Sequence, residues 1–131
     1  HDYAFRIACE MGHIQIVECL LRLTGDRYVD IHDGHDYAFR EACSKGHIEV
    51  IKLLLGLTGD RHIGSSVTTS VFWITCYSID LTIAELILSL SGNQAVQLDL
   101  LTTLIQAPRT SYDTRLLDLL IRTWKERSGV Q

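Results

Sequence analysis

The stretch HDYAFREACSKGHIEVIKLLLGLTGDR, residues 35–61, repeats HDYAFRIACEMGHIQIVECLLRLTGDR, residues 1–27, at a distance of 34 residues. Eighteen of the 27 aligned positions are identical, and others are conservative, such as Ile16 against Val50. A fixed period outweighs the other signals of architecture, because each copy has to fold into the same small unit. The sequence therefore predicts a repeat protein.

Weaker copies follow towards the C-terminus. A shift of 33 residues places Leu88 on Leu55, and a further shift of 33 places residues 116–121 on residues 83–88. The last copy ends in polar residues, as expected of a terminal repeat that caps a stack. The first copy has no such polar face, so we expect further repeats ahead of it in a longer array. We predict one domain, 1–131, with repeats at about 1–34, 35–67, 68–100 and 101–131.

Each copy contains two apolar stretches of helical length. In the second copy we predict one helix over Tyr37–Ser44, capped at its start by Asp36 and stopped by Gly46. A second helix is predicted over Ile48–Leu57, where apolar residues recur at helical spacing. In the last copy we predict a helix over Asp113–Arg127. Two short helices cannot bury their apolar faces alone, whereas stacked copies can, which predicts an all-α solenoid.

The connection between the first two copies distinguishes the repeat families of this period. It runs over Thr24–Gly34, TGDRYVDIHDG, and it combines polar residues and two glycines with the β-favouring residues Tyr28, Val29 and Ile31. A tetratricopeptide unit would be almost entirely helical. We therefore predict a turn or hairpin that projects from the stack as a short finger.

Residues 46–55, GHIEVIKLLL, closely resemble the second helix of the ankyrin repeat, and residues 12–21 resemble it less fully. The Ala-Cys pair at 42–43 stands where that family usually has Ala-Ala, while the family's Thr-Pro-Leu-His opening is replaced by residues 37–40, YAFR. The resemblance implies a curved stack of about four helix-turn-helix repeats with hairpin or loop fingers. It also implies a protein-binding module without chemistry of its own, whose partners contact the finger tips and the concave groove.

Composition excludes several classes of function. The net charge is −4, which argues against a nucleic-acid partner. No apolar run approaches the roughly 20 residues that span a bilayer, so we expect no membrane insertion.

Six histidines and four cysteines raise the question of a metal site. Most of them occupy equivalent places in successive copies, and equivalent helices lie about 8–10 Å apart. Ligands of one zinc ion bind it at about 2.0–2.3 Å, so we expect no metal and no cofactor. The same separation argues against disulfides between Cys9, Cys43 and Cys76, because bridged Cα atoms lie within about 7 Å. Buried free thiols indicate a reducing compartment, the cytoplasm or, for an effector, the host cytosol.

Catalysis has one candidate pair, Cys43 with His47. Gly46 interrupts the helix between them, and the pair recurs as Cys9 with His13. Duplication of a packing motif explains this better than duplication of a nucleophile and its base. We therefore predict no catalytic residues and no enzyme.

The predicted function is binding of a partner protein by a monomeric scaffold. Two alternatives remain: the recognition arm of a larger enzyme or of an effector secreted into a host, and a structural spacer or self-associating repeat. The candidate binding residues lie on the fingers and along the groove edge, where Trp73 and Tyr77 replace Arg40 and Ser44 of the preceding copy. They are Glu10, Met11, Arg27, Tyr28, Asp30, Asp33, Asp36, Ser44, Lys45, Arg61, His62, Trp73, Tyr77 and Ser78.

Overall fold

The computed structural model describes residues 2–75, 82–90, 94–96 and 114–129, without the side chains at positions 73, 74 and 114. Throughout these residues the regular structure is helical and contains no β-strand, which confirms the predicted all-α class. Two compact units are present, His1–Ile63 and Gly64–Gln131. The first unit contains α1 (Tyr3–Met11), α2 (Ile14–Leu21), α3 (Asp33–Lys45) and α4 (Ile48–Leu55), with 3₁₀ turns at Gly25–Arg27 and Gly59–Arg61. The second contains α5 (Ser65–Thr75), α6 (Thr82–Leu88) and α7 (Thr114–Ser128).

Glycine ends the first helix of each of the two closest copies, as predicted. Gly12 after α1 and Gly46 after α3 are left-handed, with φ of 75° and 76°. In this conformation the Gly12 amide donates to the carbonyl of Cys9, and the amide of the next residue, His13, donates to that of Ala8. The exposed carbonyls at the helix end are thereby satisfied, which is why a residue without a Cβ is favoured here.

The other helix boundaries agree with the sequence to within about two residues where they are described. Helix α4 ends at Leu55 rather than at the predicted Leu57, because the bonding pattern tightens there: the amides of Gly56 and Leu57 donate to carbonyls three residues back, those of Leu53 and Leu54. Helix α7 ends at Ser128, one residue beyond the predicted end, whereas its predicted first residue, Asp113, lies outside the described residues.

The start of α3 corrects the prediction that Asp36 caps this helix. Regular helix begins at Tyr37, but it is preceded by a left-handed turn in which Gly34, His35 and Asp36 have φ of 68°, 58° and 61°. The Asp36 carboxylate accepts a hydrogen bond from the His32 ring. A left-handed conformation costs a non-glycine residue about 1–2 kcal/mol, so this turn persists because surrounding contacts hold it.

Of the two forms predicted for the connection between the first two copies, a turn or a hairpin, the structure has the turn. The connection consists of the 3₁₀ turn Gly25–Arg27 followed by a loop, and it contains no strand. Two of its β-favouring residues, Val29 and Ile31, are only 4% and 3% exposed. Their burial anchors the connection to the core, and the polar residues between them are left at the surface.

Equivalent apolar residues form the two cores. In the first unit Phe5 and Phe39 are fully buried, together with Val17 and Ile51. Helix α1 packs on α3 and α2 packs on α4, so the two copies lie side by side. In the second unit Phe72, at the place of Phe39, is again buried.

Candidate interaction surface and the contacts between repeats

An arginine ties the second copy to the first. Arg61, in the second 3₁₀ turn, donates from Nη1 to the carbonyl of Leu21 at 2.9 Å and from Nε and Nη2 to the carbonyl of Val29 at 3.2 and 3.1 Å. Its guanidinium also lies 3.8 Å from the ring centroid of Tyr28. Leu21 is the last residue of α2, where helical carbonyls have no partner within the helix. The positive guanidinium therefore satisfies this carbonyl at the negative end of the helix dipole.

The same arrangement recurs in the second unit. Arg127 donates from Nη2 to the carbonyls of Leu88 and Leu90, at 2.9 and 3.2 Å, and from Nη1 to the carbonyl of Val96. Leu88 and Val96 correspond to Leu21 and Val29 in the repeat alignment, and Arg127 lies 66 residues, two periods of 33, after Arg61. Burial lowers the pKa of the Arg127 guanidinium from its usual value. We call each arginine with its carbonyls an arginine clamp.

A histidine makes a second contact between the first two copies. The His47 ring donates from Nε2 to the carbonyl of Glu10 at 2.9 Å. It lies against Gly12, where an added Cβ would come within 2.5 Å of Nδ1. Gly12 therefore has two roles: it ends α1 in the left-handed conformation, and it leaves room for His47 of the next copy.

His32 joins the connection to both neighbouring segments. Its Nδ1 bonds to the Asp36 carboxylate, and its Nε2 lies 2.9 Å from the carbonyl oxygen of Asp60. An ionised carboxylate and a carbonyl can only accept, so this arrangement favours the doubly protonated form of the ring, in which both nitrogens donate. Burial alone lowers the pKa of His32, but the hydrogen bond and charge of Asp36, the Asp60 carbonyl and the charge of Asp30 outweigh it and raise the pKa.

Four predicted binding residues lie at the ends of α1 and α3. Glu10 accepts from the Tyr37 hydroxyl at 3.3 Å and lies 3.8 Å from Lys45 Nζ. Met11 is 57% exposed, and Ser44 is exposed beside Lys45. We call these four residues, Glu10, Met11, Ser44 and Lys45, the variable edge, because their letters differ between two copies whose first helices bury the same Phe, Ala and Cys.

The first connection carries another set of predicted residues. Arg27 and Asp30 are exposed, and the Asp33 side chain is 45% exposed at 3.9 Å from Arg6. The Tyr28 hydroxyl donates to Asp60 at 2.8 Å, and this bond is the main cause that raises the pKa of Tyr28. With Asp26 and Asp60, which are also exposed, these residues give the connection a mainly acidic surface.

Other predicted binding residues are placed differently. Arg61 holds repeats together, as described above, and the Asp36 side chain is only 17% exposed because it is bonded to His32. His62 is half-buried, and its Nε2 has no hydrogen-bond partner among the described residues. The side chain of Trp73, and all of Tyr77 and Ser78, lie outside the described residues.

The cysteines that the structure describes are free thiols. Burial raises the pKa of both Cys9 and Cys43 to about 12, which leaves them protonated at neutral pH, whereas Cys19 is exposed. In the described ranges no three His, Cys, Asp or Glu side chains are grouped as metal ligands.

The sequence analysis did not predict the arginine clamps, although the sequence contains a signal for them. Arginine recurs at positions 27, 61 and 127, which are equivalent places in the repeat. No protein-family model, curated protein or solved structure matches the chain. Among the helices in the described part of the chain, none is both long and apolar enough to cross a bilayer.

Proposed function

We propose that the chain is a protein-interaction module with an ankyrin-like repeat architecture, and that it binds through the variable edge and the acidic connection. One observation carries the proposal. The first helices of the first two copies keep the same buried residues, a Phe, an Ala and a Cys at 5, 8 and 9 and at 39, 42 and 43, yet the surface letters at the variable edge change from Glu10-Met11 to Ser44-Lys45. A constant frame with a changing surface is what a recognition scaffold requires, because the target is specified by side chains that folding does not need.

The charge of the connection indicates the kind of partner. Asp26, Asp30 and Asp60 are exposed, and Asp33 is partly so, which favours a partner with a basic patch. Attraction between exposed charges falls off beyond about 8 Å at physiological ionic strength and over shorter distances at higher salt, so binding should weaken with added salt.

Conservative variants test the proposal without disturbing the fold. The Asp30 carboxylate accepts from the amide of His32 at 3.0 Å, and asparagine keeps that acceptor oxygen while it removes the charge. A partner captured by affinity purification and identified by mass spectrometry should bind the Asp30→Asn, Asp33→Asn double variant several-fold more weakly. Met11→Ala should weaken it separately. Unchanged affinity in both variants would contradict the proposal.

A further inference from the structure

The first copy carries the same contact residues as the second, but on a face that nothing in the described structure covers. The second copy contacts the first through Tyr37, His47 and Arg61. The equivalents in the first copy are Tyr3, which is 65% exposed, and His13 and Arg27, which are also exposed. No hydrogen bond joins the Arg27 guanidinium to another described residue.

Apolar residues share this face. His13, Ile16 and Leu20 are spaced i, i+3 and i+7, so they lie on one side of α2. Ile16 is 50% exposed, whereas the equivalent Val50 is 1% exposed, and Leu20 is half-buried, whereas the equivalent Leu54 is fully buried. We call Tyr3, His13, Ile16, Leu20 and Arg27 the leading face.

A cavity beside the leading face has a defined counterpart in the second copy. It has a volume of about 230 Å³ and is lined by Asp2, Leu20, Asp26 and Arg27, among others. In the second copy, the equivalents of the two aspartates are Asp36 and Asp60, whose carboxylate and carbonyl bind the His32 ring. The cavity is therefore lined by the two residues whose equivalents bind the His32 ring in the second copy.

We propose that the leading face is a binding site for a two-helix repeat of the 1–34 type, with Arg27 as the residue that binds its backbone carbonyls. Arg27 donates to two carbonyls of the incoming repeat. One lies at the end of that repeat's second helix, and the other lies in the loop that follows this helix. His13 donates to the carbonyl of the incoming repeat that corresponds to that of Glu10. The histidine that corresponds to His32 enters the cavity at Asp2.

Two features favour this occupant over another apolar partner. The two arginine clamps bind equivalent pairs of carbonyls, one at a helix end and one eight residues later: Leu21 and Val29 for Arg61, Leu88 and Val96 for Arg127. Arg27 has the same place in its repeat as both clamp arginines. The leading face thus continues an interface that the chain already forms between its first two copies.

The test supplies the occupant directly, by joining a second copy of residues 1–34 ahead of His1 in the full 131-residue chain. Amide exchange in Ile14–Leu21 should slow at least tenfold, because the leading face becomes covered. Arg27→Ala should then lower the urea midpoint of the extended chain and leave that of the 131-residue chain unchanged. Replacing the added copy's histidine at the place of His32 with aspartate should reduce the gain, because it brings a carboxylate to Asp2.

Three results would overturn the proposal. An extension that remains unstructured would leave exchange in α2 unaltered. Equal effects of Arg27→Ala in both chains would show that Arg27 does not bind the added repeat. Dimerisation of the unextended chain that Ile16→Glu abolishes, seen by analytical ultracentrifugation, would instead assign the leading face to a second copy of the chain.

Discussion

Arg27 and Arg61 form a natural pair for testing the arginine clamp, because the same residue stands at the same place in two nearly identical copies. Arg61→Ala removes three hydrogen bonds to the carbonyls of Leu21 and Val29, and it removes the stacking on Tyr28. Arg27→Ala removes an exposed side chain with no such bonds to described residues. The two variants therefore differ mainly in the clamp.

The expected loss of stability follows from the contacts that Arg61→Ala removes. A hydrogen bond from a charged donor contributes about 1.5–3 kcal/mol, and a cation–π contact at an exposed site about 0.5–1 kcal/mol. These contributions are not additive, and Arg61 is only partly buried, so we expect Arg61→Ala to destabilise by about 2–3 kcal/mol. We expect Arg27→Ala to change the free energy of unfolding by less than about 0.5 kcal/mol.

The assay is urea unfolding of the full chain, followed by far-UV circular dichroism. With a slope of about 1–3 kcal/mol per molar urea, Arg61→Ala should lower the midpoint by about 0.7–3 M. Arg61→Lys, which keeps the charge but not the forked donors, should fall between the wild type and Arg61→Ala. If Arg61→Ala and Arg27→Ala gave midpoints that agreed within error, the clamp would have no energetic importance and the reasoning would be refuted.

Three further predictions test other contacts. Because the folded-state pKa of His32 is raised, the stability that its ring contributes is complete below its unfolded pKa of about 6.5 and is lost as pH rises through the higher folded value. The unfolding free energy of wild type minus that of His32→Gln should therefore fall between pH 6 and pH 9, and a difference that stays flat over this range would disprove the contact. Gly12→Ala should destabilise more than Gly46→Ala, since both glycines are left-handed but only the first has the next copy's imidazole against it, and equal urea midpoints would contradict that contact. Under native conditions a thiol reagent should modify Cys19 quickly and buried Cys9 only after unfolding, as peptide mass mapping would show, whereas equal rates would disagree with the burial.

Two kinds of feature could be predicted from the sequence. The all-α class and the glycine stops at Gly12 and Gly46 follow from local rules, because helix periodicity and the left-handed cap involve only a few adjacent residues. The variable edge could also be located, since its letters differ between two copies that are identical at 18 of 27 aligned positions.

The start of α3 and the connection could not be predicted in this way. Asp36 has the residue type of a helix cap, but its carboxylate bonds to His32, and Val29 and Ile31 have the residue types of a strand, but they fill the core. In each case local preference is overridden by a contact with another segment.

What the sequence alone determined is the repeated unit and the ends of most of its helices, because these depend on neighbours within about four residues. What only the tertiary structure decided is the role of each copy's residues. Arg27 and Arg61 lie in identical local sequences, TGDR, yet one is exposed and the other binds carbonyls 32 and 40 residues away. The difference is that a helix end of the preceding copy lies beside Arg61, and this depends on how the copies pack rather than on the letters around either arginine.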